Sequence, residues 1–401
     1  METVVSSGNT TEALLAGTVA CHSSAELSAK LKRGTPLRVK FGVDPSSPDL
    51  HLGHAVPLRY LRRWQDAGHL AVLLLGDATA MVGDPTGKNA TRPQLTREQV
   101  EAHAATYLEQ AFHVLDPERT EVVRNSDWFD QMNFMDAIKL GATTTVARML
   151  ERDTFETRYK AGVPISLHEF LYPLMQARDS VEVRADVEIG GSDQTFNLLA
   201  GRDQMRDAGM EPQICITLPL LVGLDGEQKM SKSLGNAIGL TDEPREMFGR
   251  AMSLPDALMP SWFQLTTSLS EARVAELLAG SPREAKGALA AEIVATYHGE
   301  AAAREASEEF DRIFRDKGLP DDIPSTRLQA ELVEDGSVWI VKALTSVGLA
   351  ASSGEARRLI RSGGVRADDE KVSDEQARLS AGGSYLLRVG KRRFHRVEVP
   401  A

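Results

Sequence analysis

Two short stretches carry side chains whose types and spacing suit the handling of a polyphosphate. In the first, Leu50-His51-Leu52-Gly53-His54, two imidazoles stand three residues apart around a glycine. Apolar alternation upstream, and Val56, Leu58, Leu61 and Trp64 at helical spacing downstream, put both imidazoles in the first turn of a helix. Unpaired backbone N–H groups and the positive end of the helix dipole attract anions there and depress imidazole pKa, so phosphate is the natural guest. The same position repels a cation and no third ligand lies at useful spacing, so the pair reads as a phosphate site with no metal. Gly53, without a Cβ, lets a flat base or sugar lie against the helix backbone. The second stretch, Lys229-Met230-Ser231-Lys232-Ser233, lies between Asp225-Gly226 and Gly235-Asn236. Those turn signals make it a loop tip, on which two lysines three apart can clamp one polyanion.

These groups need a frame, and the hydrophobic pattern supplies one. Residues 37–43 alternate as a strand leading into the histidine unit, and 69–75 form a continuous apolar run suited to a parallel strand covered on both faces. The glycines of 83–88 invite a P-loop reading, but Val82 stands where a Walker motif needs glycine and Asn89 where it needs Ser or Thr. They fit a pocket floor at a strand end better, where Asp84 can face a substrate ammonium. A helix is expected over 97–112, a short strand near Val122, and helix-prone sequence over 133–161. Ser166 and Glu169 form a capping-box pattern that opens a helix carrying Tyr172, Gln176 and Asp179 at i, i+4 and i+7. One face of it thus presents a phenol, an amide and a carboxylate, flanked by apolar residues as a pocket wall is. Residues 184–189 read as a strand into Gly190-Gly191-Ser192-Asp193-Gln194, where an acid just past a strand end can accept both ribose hydroxyls. A last strand over 214–221 runs to the lysine loop, and the alternation of strands and helices predicts an α/β fold with a parallel sheet.

Residues 1–36 read as a polar, helix-prone lead-in without chemistry. Beyond Thr241 the strand signal vanishes, and 271–314 is rich in Ala, Glu and Arg with helical periodicity. Pro320 to Pro324 marks a linker; Ser352 and Glu355 then cap a helix bearing Arg357, Arg358 and Arg361, which ends at Gly363-Gly364 before a strand.

A chain of 401 residues with 42% hydrophobic and 26% charged content fits a protein of two or three globular domains. With neither a basic-then-apolar leader nor a membrane-length apolar run, it is expected in the cytoplasm, off the membrane. Cys21 and Cys215 are isolated, which excludes a disulfide framework and a structural zinc site. The net charge of −11 is unevenly spread: residues 337–401 hold 12 Lys/Arg against 7 Asp/Glu. A basic tail on an acidic body predicts one RNA-facing module.

Taken together, the histidine and lysine stretches resemble the two signature motifs of class I aminoacyl-tRNA synthetases. From about Leu37 to the C-terminus the chain resembles bacterial tyrosyl-tRNA synthetases that carry a short C-terminal RNA-binding domain. The resemblance implies a Rossmann-like catalytic domain with an N-terminal helix over 1–225, then the lysine loop and a helical, anticodon-side domain over 226–320. A linker over 321–336 and a small α+β RNA-binding domain over 337–401 would follow. It implies activation of L-tyrosine by ATP, with Mg²⁺ carried on the nucleotide, and transfer to tRNA(Tyr) by a homodimer. By position, His51, His54, Lys229, Lys232, Lys88 and Arg92 would act on the reacting groups. Gly42, Asp44, Gly53, Gly191, Asp193, Met230 and Ser233 would surround ATP, while Asp84, Thr79, Tyr172, Gln176, Asp179 and Gln194 would hold tyrosine. Asp179 would accept the phenol hydroxyl. Arg357, Arg358, Arg361, Arg366, Lys391, Arg392 and Arg393 would meet RNA. Three positions depart from the pattern: Lys40 where many relatives place a tyrosine near the substrate hydroxyl, Arg178 beside Asp179, and Pro57, which should bend the signature helix. A tryptophanyl enzyme would share both signatures without needing Asp179. A dinucleotide oxidoreductase would need a Gly-rich fingerprint that is missing, and a simple RNA-binding protein would not need the lysine loop.

Overall fold

The structure is a computed structural model that describes residues 10–85, 95–314, 323–368, 370–390 and 393–400. From the N-terminus it runs α1 (Thr11–Leu15), β1 (Ala20–His22), α2 (Ser24–Leu31), β2 (Arg38–Val43), α3 (Leu52–Asp66), β3 (Leu70–Leu75), α4 (Asp77–Val82), α5 (Arg97–Ala111) and β4 (Thr120–Arg124). Next come α6 (Ser126–Phe129), α7 (Phe134–Gly141), α8 (Val146–Met149), α9 (Asp153–Lys160), α10 (Leu167–Val183), β5 (Val187–Gly191), α11 (Thr195–Asp207) and β6 (Ile214–Leu218). Helices α12 (Pro244–Ala251), α13 (Met259–Thr266), α14 (Glu271–Ala279) and α15 (Pro282–Phe314) complete the expected helical stretch, with α15 broken at Gly299 (φ 86°, ψ 164°).

The strands β1 to β6 form one sheet in the order β1-β6-β5-β2-β3-β4, parallel except for β1. Five of the six residues of β3 are buried, as its unbroken apolar run requires of a strand covered on both faces. Because β3 and β4 lie to one side of β2 and β5 and β6 to the other, strand order reverses between β2 and β5. A crevice opens at the carboxyl ends of strands at such a point. The antiparallel β1 was not expected in the lead-in: three half-buried residues, Ala20 to His22, carry no readable alternation, and their pairing with 215–217 is a long-range event.

Chain contacts divide the molecule into two compact units, Met1–Arg304 and Glu305–Ala401. The second holds β7 (Ser325–Arg327), β8 (Val333–Glu334), β9 (Ser337–Trp339), α16 (Ile340–Ser346), α17 (Ser353–Arg361), β10 (Val365–Ala367), β11 (Glu370–Lys371), β12 (Arg378–Ser380), β13 (Ser384–Val389) and β14 (Arg393–Glu398). Its core gathers Val338, Val341, Leu344, Ile360, Val365, Leu387 and Val397. Part of the stretch expected as a linker lies inside this unit: β7 pairs in parallel with β14 and Leu328 is buried in the core. All three β7 residues are exposed, so no hydrophobic period could announce the strand. The expected cap of α17 forms at Ser352, whose Oγ accepts from Glu355 N; only the reciprocal bond is shifted by one residue, Glu355 Oε2 accepting from Ala351 N. Among the described residues no helix is long and apolar enough to cross a membrane.

Candidate active site

His51 is the N-cap of α3, held by an isolated bridge to Gly239 and by hydrogen bonds from Leu52 N to Ile238 O and from Leu240 N to Leu50 O, both 3.0 Å. Backbone N–H groups fix both rings, Gly53 N donating to His51 Nδ1 and His51 N to His54 Nδ1, each at 3.2 Å. Each Nδ1 is therefore an acceptor, which puts the proton of a neutral ring on Nε2. The rings stack with centroids 3.8 Å apart. Burial, then His54 and Lys232, pushes His51 down to about 3; burial, then Lys232 and Lys229, pushes His54 down to about 4. Burial is thus the largest cause of a shift whose direction was anticipated from sequence, and at neutral pH each ring offers an N–H donor without a charge. A Cβ at Gly53 would stand 3.0 Å from the His51 ring and 3.5 Å from Met230 Cβ, so both motifs border the same first turn. Helix α3 continues across Pro57 to Asp66 without interruption.

Asn236, buried, organises the lysine loop. Its Nδ2 donates to Asp225 Oδ2 (2.7 Å) and Lys229 O (3.3 Å), and its Oδ1 accepts from Ser231 N (2.7 Å). Met230 is buried, with its N–H on Leu221 O, while Lys229, Lys232 and Ser233 are exposed. Lys229 Nζ lies 2.8 Å from Asp193 Oδ2, and Lys232 Nζ lies 2.7 Å from Asp49 Oδ2. Such exposed pairs contribute roughly 0–1 kcal/mol, so a polyphosphate can displace the carboxylates easily. Gly191 stands next to this pairing; a Cβ on it would fall 2.6 Å from Asp193 Oδ1.

At the carboxyl ends of β2 and β3, one hydrogen-bonded chain joins half of the residues expected around the amino acid, Thr79, Tyr172 and Asp179, with Asp44. Tyr172 Oη donates to Asp44 Oδ2 (2.8 Å) and Thr79 Oγ1 to Asp44 Oδ1 (2.7 Å). Asn125 Nδ2 donates to Thr79 Oγ1 (3.0 Å) and Asp179 Oδ2 (3.3 Å), and Trp128 Nε1 donates to Asp179 Oδ1 (3.1 Å). Only glycine fits at Gly76, where a Cβ would lie 2.2 Å from Asp44 Oδ1. Asp44, expected to border ATP, thus bonds to Tyr172 and Thr79, two residues expected around tyrosine; Gly42 lies two residues before it, on β2, and Gln176 is half-buried on α10. Nearby in sequence role, Asp84 accepts from Gln194 Nε2 (3.0 Å) and from the buried Arg152 Nη2 (3.2 Å). Burial pushes Asp44 up to about 7 against the bonds from Thr79 and Tyr172, and Asp179 up to about 8 against Lys40 and the bonds from Asn125 and Trp128.

Asn125, Trp128 and Arg152 were not singled out as site residues. Nothing local in the sequence says that 125–128 reaches α10, and Arg152 has no motif at all. Arg178 turns to Glu182 one helical turn on and is absent from the bonds to Asp179. Lys88 and Arg92 lie outside the described residues, as do Lys391 and Arg392. No group of three or more His, Cys, Asp or Glu that could hold a metal occurs among the described residues.

On the second unit, Arg357, Arg358, Arg361, Arg366 and Arg393 are all exposed. Arg357 stacks over the Trp339 ring at 5.1 Å, Arg361 pairs with Glu375 (2.7 Å), and Arg393 Nη1 donates to Leu349 O (3.0 Å). These three are thus partly pre-positioned by their own unit.

A parallel sheet whose strand order reverses beside the site, a histidine pair at one helix start and a lysine loop packed against that first turn define a class I synthetase. The family model for class I tRNA synthetases (W and Y) matches residues 32–315, and the chain belongs to that family. An S4 domain model matches 338–383. The tyrosine–tRNA ligase of Chlorobaculum tepidum is 50% identical over 376 residues, covering 93% of this chain and 91% of the relative. That of Thiobacillus denitrificans is 52% identical over 380 residues, covering 94% and 95%. Among solved structures, a C-terminally truncated mitochondrial tyrosyl-tRNA synthetase from Aspergillus nidulans matches with a TM-score of 0.62 and 26% identity, over 74% of this chain and 92% of its own.

Proposed function

We infer that the chain activates L-tyrosine with ATP, forming tyrosyl-adenylate and pyrophosphate, and then transfers tyrosine to the 3′ end of tRNA(Tyr). The observation that carries this is the meeting of the two signatures, with 50–52 bridged to 238–240 and Met230 against Gly53, beside the hydrogen-bonded chain that runs from Asp44 to the buried carboxylate of Asp179.

The tyrosine carboxylate is already a nucleophile, so no general base is needed. Its oxygen bonds to the α-phosphorus while the bond to the bridging oxygen breaks and the electron pair leaves on pyrophosphate. Positioning and charge stabilisation supply the rate. His51 and His54 contribute Nε2–H donors; Lys229 and Lys232 move from Asp193 and Asp49 to the phosphates, which frees Asp193 for the ribose. Mg²⁺ enters as part of the substrate, MgATP. Asp84 and Gln194 take the tyrosine ammonium, Asp44, Thr79, Tyr172 and Gln176 line the cavity, and Asp179 accepts the phenol O–H. Gly42, Gly53, Gly191, Met230 and Ser233 border ATP, and Lys88 and Arg92 act at the transition state or the tRNA end.

The reading extends to the rest of the chain. The basic tail over 337–401 holds tRNA through its arginines, and the helices within 226–320 face the anticodon side. Two copies associate through α7, α8 and the start of α10, where Phe134 (79% exposed), Leu167 (82%), Met135, Ile138 and Val146 leave a large apolar surface open. The enzyme works in the cytoplasm. Charging of tRNA(Tyr) with labelled tyrosine tests the whole proposal: ester formation that requires ATP, tyrosine and this tRNA is expected, and failure to charge it with purified, folded protein contradicts it.

A further inference from the structure

Behind the hydroxyl end of the amino-acid pocket lies an ion pair that the reaction does not use. Lys40, in the middle of β2, is 0% exposed; its Nζ donates to Ser180 Oγ (2.8 Å) and lies 2.9 Å from Oε1 of Glu188, a β5 residue that is 1% exposed. Glu188 Oε2 accepts from Ser180 Oγ (3.0 Å) and from Gln213 Nε2. Ser180 directly follows Asp179 on α10, so the clamp closes one residue from the pocket carboxylate. A buried ion pair is a poor way to hold a fold, since apolar residues of similar volume commonly do as well or better. Its place between Val39 and Phe41, both buried core residues, therefore points to a role other than cohesion.

We propose that Lys40 is a specificity-determining positioning residue: clamped by Glu188 and Ser180, its ammonium supplies the countercharge that lets Asp179 meet a phenol hydroxyl as a carboxylate, favouring tyrosine over phenylalanine. The proposal rests on the reading of Asp179 as the phenol acceptor. A hydroxyl bonds more strongly to a carboxylate than to a neutral acid. Phenylalanine, in contrast, leaves that carboxylate unpaired out of water, a penalty that is largest when Asp179 is charged. Burial works the other way, pushing Asp179 up to about 8, and the direct bonds from Asn125 and Trp128 are neutral donors. The charged groups that act on it are Lys40 from β2, which favours the anion, and Glu188 from β5, which opposes it; the Tyr172 phenol faces it from α10. The cation on β2 thus decides how much of the pocket is in its charged form near neutral pH.

The test is pyrophosphate exchange by the full-length protein with tyrosine and with phenylalanine, between about pH 6 and 10. It compares the native protein with Lys40→Met, Lys40→Met/Glu188→Gln and Asp179→Asn. The expected kcat/KM for tyrosine has an acid limb that Lys40→Met moves to higher pH. At neutral pH the tyrosine-to-phenylalanine ratio then falls roughly tenfold for each unit the limb moves. The double variant should recover part of the shift, because the unopposed Glu188 charge is gone, whereas damage to packing would accumulate. It also buries no lone charge, so it carries the test alone should Lys40→Met fail to fold. If the Lys40 variants keep limb and ratio while Asp179→Asn loses both, the proposal is overturned and Asp179 keeps its role. A larger loss in the double variant than in the single one also overturns it. If Asp179→Asn keeps the ratio, the reading of Asp179 falls and takes the role of Lys40 with it.

Discussion

A neutral imidazole with its proton on Nε2 can donate a hydrogen bond to a phosphate oxygen but adds no unit charge, so among the described residues the proposal draws the charge at this site from Lys229 and Lys232. His54→Ala and Lys232→Ala should each slow adenylate formation by about 3 kcal/mol, roughly a hundredfold, while tyrosine affinity is little changed, because each group is used mainly as charge develops. Stopped-flow rates and equilibrium binding check this pair. The histidines also leave a signature in stability. Unfolded they titrate near 6.5, and folded they are held at about 3 and 4, so the native state binds fewer protons. Their contribution is complete above about pH 6.5 and is lost as pH falls toward 4. The Tm of His54→Asn relative to the native protein should therefore rise as pH is lowered through that window in calorimetry. At saturating tyrosine, the adenylation rate should show no inflection near 6.5. Spacing alone exposed His51, His54, Lys229 and Lys232 in the sequence, because each pair works within a single turn or loop. Asn125, Trp128 and Arg152 were invisible because their meaning lies in contacts with residues 46 to 68 positions away.

Strands and helices with an apolar period of their own, β2, β3, α3 and α10, were legible, since each buries a face that the sequence must supply. Elements held by a partner were not: β1 exists through β6, and β7 through β14. The bridge from 50–52 to 238–240 is of the same kind, and it holds the segment just beyond the lysine loop against the histidine unit. The apolar surface of α7, α8 and α10 is an element-scale feature with a direct test. Phe134→Asp with Leu167→Asp should convert the proposed dimer to a monomer in sedimentation velocity. A native protein that sediments as a monomer at every concentration would remove the homodimer from the proposal.

Over the whole molecule, charge is divided between an acidic body and a basic tail, and the proposal gives the two compact units different work. Removing the second unit should leave pyrophosphate exchange near the native rate and depress tRNA charging, chiefly through KM. In the full-length protein, charging should weaken steeply as salt rises if the tail acts on RNA phosphates as proposed. The cut belongs after Phe314 rather than after Gly336, since the later cut would strand Leu328 and β7 without the core and strand that hold them. Charging by the truncated protein at the native KM would show that the tail does not hold tRNA. The central claim, that these signatures activate tyrosine on ATP, is tested most directly by ATP–pyrophosphate exchange with tyrosine, tryptophan and phenylalanine in turn. Exchange that saturates with tyrosine, runs far slower with the other two and collapses in Lys232→Ala is the expected result. Exchange driven equally by tryptophan or phenylalanine, or exchange with tyrosine untouched by the loss of Lys232, would contradict it.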